Sequence, residues 1–170
     1  MTIGSNARKV DQMIILGIDP GLQVCGYAVL ETGSGDDKLI EAGVFKTDGK
    51  KELAERLCQI AADITEILEK NKPAIVAVEE LYSNYKHPKT AILMGHARGV
   101  ILQRSVESGA EVRSFAATRI KKSLTGNGRA SKEQMQRTIQ RVLGLLDRPE
   151  PNDVADAIAI ALCCANEKRI

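Results

Sequence analysis

Residues 153–166 read DVADAIAIALCCAN, a helix-length segment that is apolar on nearly every side. A helix with one apolar stripe lies on a surface, whereas a helix that is apolar all round has to be enclosed. This last helix is therefore expected to pack against a sheet, and the rest of the chain must supply that sheet.

It does so in short β-branched runs. Met13–Asp19 (MIILGID) is apolar up to its last residue and is closed by Pro20 and Gly21, which reads as a buried strand and a turn. Residues 24–31 and 39–47 read as two further strands, with the glycine-rich, acidic GSGDDK between them as a hairpin turn. Pro73 opens another buried strand at 74–79 (AIVAVE), and 111–115 is a short fifth. Helices fall between and after. Over 51–70, Leu53, Leu57, Ile60, Ile64, Ile67 and Leu68 recur at three- and four-residue intervals and make one apolar stripe. A second helix is expected at 90–107, and a later one at 132–146 places Met135, Ile139, Val142, Leu143 and Leu146 on one face.

Three strands, a helix, a strand, a helix, a strand and closing helices is an α/β order. The first three strands suit an antiparallel meander, while the later ones need helical crossovers and so pair in parallel. The expected fold is a mixed five-stranded sheet with helices on both faces. It would occupy 13–168 as one domain, behind a flexible N-terminal extension at 1–12; 170 residues suit a single domain.

Composition excludes several classes. Aromatic residues are 3% with no Trp, so the core must be aliphatic. No apolar run approaches the ~20 residues of a membrane-spanning helix. The opening MTIGSNARKVDQM lacks the continuous apolar region of a secretory signal, so cytoplasmic residence is expected, with no membrane partner. Cys25, Cys58, Cys163 and Cys164 contain no C-x-x-C pair and read as buried free thiols rather than zinc ligands. A net charge of +2 does not announce a nucleic-acid partner, but its distribution is uneven. Between 113 and 141 stand Arg113, Arg119, Lys121, Lys122, Arg129, Lys132, Arg137 and Arg141, against Glu133 alone. Such a run is either a solvated face or a surface for phosphates.

Four acids stand out because of where they fall. Asp19 ends the first apolar strand and Glu79 ends the fourth, at the edge where α/β sites form. Asp153 and Asp156, three apart at the start of the apolar helix, share a face. Each has an ordinary alternative. Asp19 suits a turn before Pro-Gly; Asn152 would cap the last helix, and Asp153 and Asp156 would favour its positive end. If the four converge, however, they cannot stay ionised without cations. Two carboxylates about 5 Å apart repel by roughly 3 kcal/mol at an effective dielectric near 20. Two Mg²⁺ ions, with Mn²⁺ able to substitute, would cancel the four charges, and the absence of a Cys/His cluster argues against zinc. A metal pair serves phosphoryl transfer without a protein nucleophile. That fits a chain with no Ser-His-Asp or Cys-His set, whose His87 and His96 lie away from the acids and read as surface or packing residues.

IILGIDPGLQVCGYAVLE, VAVEELY and NDVADAIAIAL resemble, in order and spacing, the three acidic motifs of the RuvC family of crossover junction endodeoxyribonucleases. The similarity runs from Ile14 to Asn166. It implies an RNase H-like fold and a homodimer that resolves four-way DNA (Holliday) junctions by paired symmetric nicks, in recombination and repair. The RuvA–RuvB branch-migration complex would be its companion. Asp19, Glu79, Asp153 and Asp156 match the family's catalytic, metal-binding acids, with Glu79 rather than Glu80 selected by the motif. Tyr82 matches an aromatic turned toward the bases at the branch point. Lys121 and Lys132, with Lys122 beside the first, match basic positions that contact DNA. The stretch 95–99 (GHARG) resembles one on a helix near the family's dimer contact.

Three rivals remain at this stage. A YqgF-type RNA nuclease would share Asp19 and the fold, but the basic segment and the D-x-x-D-A ending favour the junction nuclease. Actin-like and sugar-kinase ATPases also open with a G-I-D-x-G turn, yet they close two such domains around ATP, for which 170 residues leave no room. A branched-DNA binder without activity would gain nothing from four acids beside its phosphates.

Overall fold

The computed structural model describes residues 12–33, 35–82 and 88–167. The proposed extension, apart from Gln12, lies outside these residues, as do Ser34, Ser83, His87 and the last three positions. The elements are β1 (Met13–Asp19), β2 (Val24–Thr32), β3 (Lys38–Lys46), α1 (Leu53–Asn71), β4 (Ile75–Glu79), α2 (Pro88–Glu107), β5 (Glu111–Phe115), α3 (Ala117–Thr125), α4 (Lys132–Leu143) and α5 (Asn152–Glu167).

The strands form one sheet in the order β3-β2-β1-β4-β5. β1 pairs antiparallel with β2, and β2 with β3, as a meander; β4 pairs parallel with both β1 and β5, entered from the meander through α1 and left through α2. The mixed five-stranded expectation therefore holds.

Alternation along the strands divides the core in two. Ile15, Ala28, Leu30, Ile75 and Ala77 meet α5, Ile120 of α3, and Met135 and Ile139 of α4. Leu16, Ile18, Val29, Val76 and Val78 face the opposite way, onto Ile60, Ile64, Ile67 and Leu68 of α1 and Ala97 and Ile101 of α2. Helices thus cover both faces. From Val154 to Ala165 every residue of α5 except Asp156 is buried, so the all-round apolar pattern is answered by enclosure. No described helix is long and apolar enough to cross a membrane.

Two expectations need correction, and one helix is additional. The helix expected at 132–146 ends at Leu143, because Gly144 takes a left-handed conformation (φ 61°) that caps it. Leu146 therefore leaves the apolar face and is 96% exposed, while Val142 is 51% exposed. Residues 117–125 form a separate helix, α3, whose short polar sequence shows no long periodicity. Finally, Cys25, Cys163 and Cys164 are buried as expected, but Cys58 is exposed, one position off the stripe by which α1 packs.

Candidate active site

Strand register brings the first two acids together. β1 and β4 run parallel with Ile18 level with Val78, so one step further places Asp19 beside Glu79 at adjacent strand ends. Side chains alternate along a strand, and Ile15 and Gly17 in β1, like Ile75 and Ala77 in β4, face α5. Asp19 and Glu79 continue those two series, so both turn toward α5. Glu80 is one residue out of phase and exposed, and its N–H donates to the Phe115 carbonyl at 2.9 Å.

The other pair comes from the first turn of α5, which is seated on the sheet by glycine. Gly26 lies opposite Asp19 in the β1–β2 ladder. A β-carbon built on it would stand 2.0 Å from the Asp153 carbonyl oxygen, and one on Gly17 would stand 2.3 Å from that of Ala157. Only backbones without side chains allow α5 this close. The helix start that carries Asp153 and Asp156 therefore hangs over the ends of β1 and β4.

The titration of these groups records their proximity. The Asp19 carboxyl is pushed up to about 7, first by burial and then by the charges of Asp156, Glu79 and Asp153, with Lys132 opposing. Glu79 is raised by burial and by Asp156, against Lys121. Asp156 is raised by burial and by Asp153, while Lys132 and Lys121 pull it down. Four carboxylates from three separate elements thus share one electrostatic site.

A hollow of about 200 Å³ opens between these acids and the basic segment. Glu79 and Asp156 face Lys121 of α3 and Lys132 of α4 across it, and Ala117, Ile120, Met135 and Ala159 form its apolar wall. Lys122 is exposed on α3 and does not line it. Lys132 occupies the first helical position of α4, after Ser131, whose hydroxyl and N–H exchange hydrogen bonds with the Gln134 N–H (3.2 Å) and side chain (2.8 Å). A cation there opposes the helix dipole, so its placement facing two acids is better explained by the site than by helix stability. A second hollow of about 210 Å³ lies on the other side, lined by Asp19, Pro20, Glu79, Glu80, Leu81, Ala91, Met94 and Tyr82. Tyr82 is 92% exposed. His96 is exposed on α2, whereas His87 falls outside the described residues.

Elsewhere the basic run is partly neutralised. Arg113 pairs with Glu111, Arg137 with Glu133, and Arg119 with Glu167. Sequence reasoning passed over Gly17 and Gly26, and it took in Arg98 only as part of the GHARG stretch placed near a dimer contact. The two glycines interrupt strands otherwise built of larger residues, which is the mark of a close backbone approach.

Among the described residues, no three Asp, Glu, His or Cys side chains already converge as ligands on one point. The donor set nonetheless suits hard divalent cations: four half-buried carboxylates, with Asp19 raised to about 7 by burial first and by its neighbours' charges second.

The family model for crossover junction endodeoxyribonuclease RuvC matches residues 15–164. A protein of that description from Rhodopirellula baltica is 46% identical over 157 residues, covering 92% of this chain and 88% of its own length. Another from Moorella thermoacetica is 42% identical over 154 residues, 91% of this chain and 92% of its own. Among solved structures, Thermus thermophilus RuvC in complex with Holliday junction substrate superposes with a TM-score of 0.86 at 34% identity, over 92% of this chain and 95% of that one.

Proposed function

The chain belongs to the RuvC family of crossover junction endodeoxyribonucleases, and we propose that its residues 13–168 are one RNase H-like nuclease domain resolving four-way DNA junctions through Asp19, Glu79, Asp153 and Asp156. The observation that carries this reading is the convergence of those acids on one face of the sheet, from two parallel strand ends and one helix start. Each nick would be a hydrolysis at phosphorus.

Asp19, Glu79, Asp153 and Asp156 would hold two divalent cations, Mg²⁺ or Mn²⁺. When bound, such ions supply activation of the attacking water and charge relief for the leaving oxygen. The protein's own groups do the rest. Asp19, whose pKa is raised by burial and by its neighbours' charges, would be ionised when it holds a cation. Lys121 and Lys132, opposite the acids across the hollow, hold the scissile strand by its phosphates. Lys122 extends that contact on the outer surface of α3. Ile120, Met135 and Ala159 keep bulk water from the back of the hollow. Tyr82, at the rim beside Glu79 and almost wholly exposed, is free to stack on an unpaired base at the branch.

A four-way junction is nearly twofold symmetric, so paired cuts call for a homodimer with one site per subunit. Ile92 and Val106, 63% and 64% exposed on α2, are apolar residues that such a contact could cover. Family membership also implies the RuvA–RuvB branch-migration complex as companion, and cytoplasmic residence.

The test is cleavage of a synthetic four-way junction with and without Mg²⁺, beside linear duplex and an RNA–DNA hybrid. Symmetric nicks confined to the junction and dependent on metal are expected. Binding without cutting, or cutting of the hybrid alone, would overturn the reading.

A further inference from the structure

We infer that Arg98 is a positioning residue for Glu79: from α2, its guanidinium ties the last peptide of β4 to the end of β5. The inference rests on the metal-binding role proposed for Glu79. Nε of Arg98 donates to the Glu79 carbonyl oxygen at 3.0 Å, and Nη2 donates to the Ser114 hydroxyl at 2.7 Å. Glu79 stands at a strand end that is laddered on one side only, to Phe115 of β5. The β1–β4 ladder runs only to Ile18 and Val78, and Pro20, which follows Asp19, has no N–H to extend it.

A guanidinium suits this place because its planar fork reaches two acceptors at once with a fixed angle between them. Arg98 stands on the inward face of α2, three and seven residues before Ile101 and Ser105, both fully buried. The helix that anchors it is therefore itself held against the sheet. Arg98 bonds the Glu79 backbone, so it sets where the strand ends and hence where the carboxylate begins. Asp19 lacks such a tie from α2 and relies on the β2 ladder, where it pairs with Gly26.

The test is Mn²⁺ binding by calorimetry at pH 8, with junction cleavage measured alongside. Arg98→Met is expected to weaken Mn²⁺ binding and slow cleavage by on the order of 10–100-fold, as loss of a group orienting a metal ligand does. Arg98→Lys, which keeps the charge and one donor, should recover part of the loss. Ser114→Ala, a milder change that leaves the fold intact, should lower affinity in the same direction by a smaller factor. In a Glu79→Gln background, Arg98→Met should alter Mn²⁺ affinity by no more than about twofold, because its effect passes through Glu79. If wild-type protein binds Mn²⁺ and Arg98→Met and Ser114→Ala bind it equally well, Arg98 has no positioning role. An undiminished effect of Arg98→Met in the Glu79→Gln background would equally overturn the inference. A wild-type protein that binds no Mn²⁺ would instead overturn the metal site on which the inference rests.

Discussion

Asp153 rests on Gly26 with backbone against backbone: a β-carbon at Gly26 would lie 2.0 Å from the Asp153 carbonyl oxygen and 2.5 Å from its carbonyl carbon. Because Gly26 is the ladder partner of Asp19, this one contact fixes the height of the α5 acids above the strand that carries the first acid. Spacing among the four carboxylates is thus set by a side chain that is absent.

Gly26→Ala should therefore cost both stability and activity. The clash is with main chain, which cannot rotate aside, so α5 must lift. Overpacking of this kind costs about 1–3 kcal/mol, read as a fall of several degrees in melting temperature. Cleavage at a temperature where the variant stays folded should fall further, since Asp153 and Asp156 move with the helix. Gly49→Ala is the control: nothing lies within 4 Å of its added carbon, and neither quantity should change appreciably. Equal behaviour of the two variants would remove the glycine seat from the account.

Asp19 destabilises the metal-free fold at neutral pH, and the sign follows from its raised pKa. Between the ordinary value of 3.8 and about 7, the unfolded chain ionises at this residue while the folded one does not. Stability is lost as pH climbs through that window, and the full loss is present above it. In EDTA at pH 8, Asp19→Asn should melt several degrees above the parent, and the gap should close as pH falls toward 4. Mg²⁺ at pH 8 should raise the parent's melting temperature more than the variant's. A variant less stable than the parent at pH 8 would mean that Asp19 is held by favourable contacts instead.

Much of this site was legible in the sequence, for physical reasons particular to each residue. Asp19 and Glu79 stand out because an acid is costly at the end of a buried apolar run. Their facing the same way also follows from alternation, but only once β4 is known to lie beside β1, and that neighbour relation spans the whole of β2, β3 and α1. The pairing of Asp153 and Asp156 follows from helical spacing alone. Legibility failed where local pattern and tertiary context part. The apolar series of α4 continues in Leu145 and Leu146, yet the left-handed cap at Gly144 turns the chain away. Arg98 was legible only as one residue of GHARG and not by its role, since a side chain that bonds a distant carbonyl leaves no periodic trace.

Asp153→Asn and Asp19→Asn should each abolish cleavage while leaving junction affinity unchanged or tighter. Neutralising one acid removes a cation ligand, but it also lessens the repulsion met by DNA phosphates. Gel-shift binding without metal, beside Mg²⁺-dependent nicking, separates the two effects. Full nicking by either variant would remove that acid from the metal site.

Tyr82→Ala should impair cleavage more than binding. With 92% of its surface exposed, the ring has almost no packing to lose, so the melting temperature should hold. A base stacked on the ring contributes about 1–3 kcal/mol, which predicts a roughly 5- to 100-fold fall in turnover if the contact forms chiefly as the strand is cut. Unchanged turnover on a junction substrate would leave Tyr82 as a surface residue with no part in the reaction.

Lys121 and Lys122 are neighbours in sequence with different surroundings, and their variants should differ accordingly. Both should reduce the salt dependence of junction binding, by about one phosphate contact each. Only Lys121 lines the hollow and lowers the pKa values of Glu79 and Asp156. Lys121→Ala should therefore let both acids hold their protons to higher pH, and the acid limb of the cleavage profile should move upward. Lys122→Ala should leave that limb in place, because its side chain is exposed and outside the hollow. Profiles of the two variants at one ionic strength make the comparison. If the acid limb stays put in Lys121→Ala as well, Lys121 acts on DNA phosphates alone and its charge does not govern the acids.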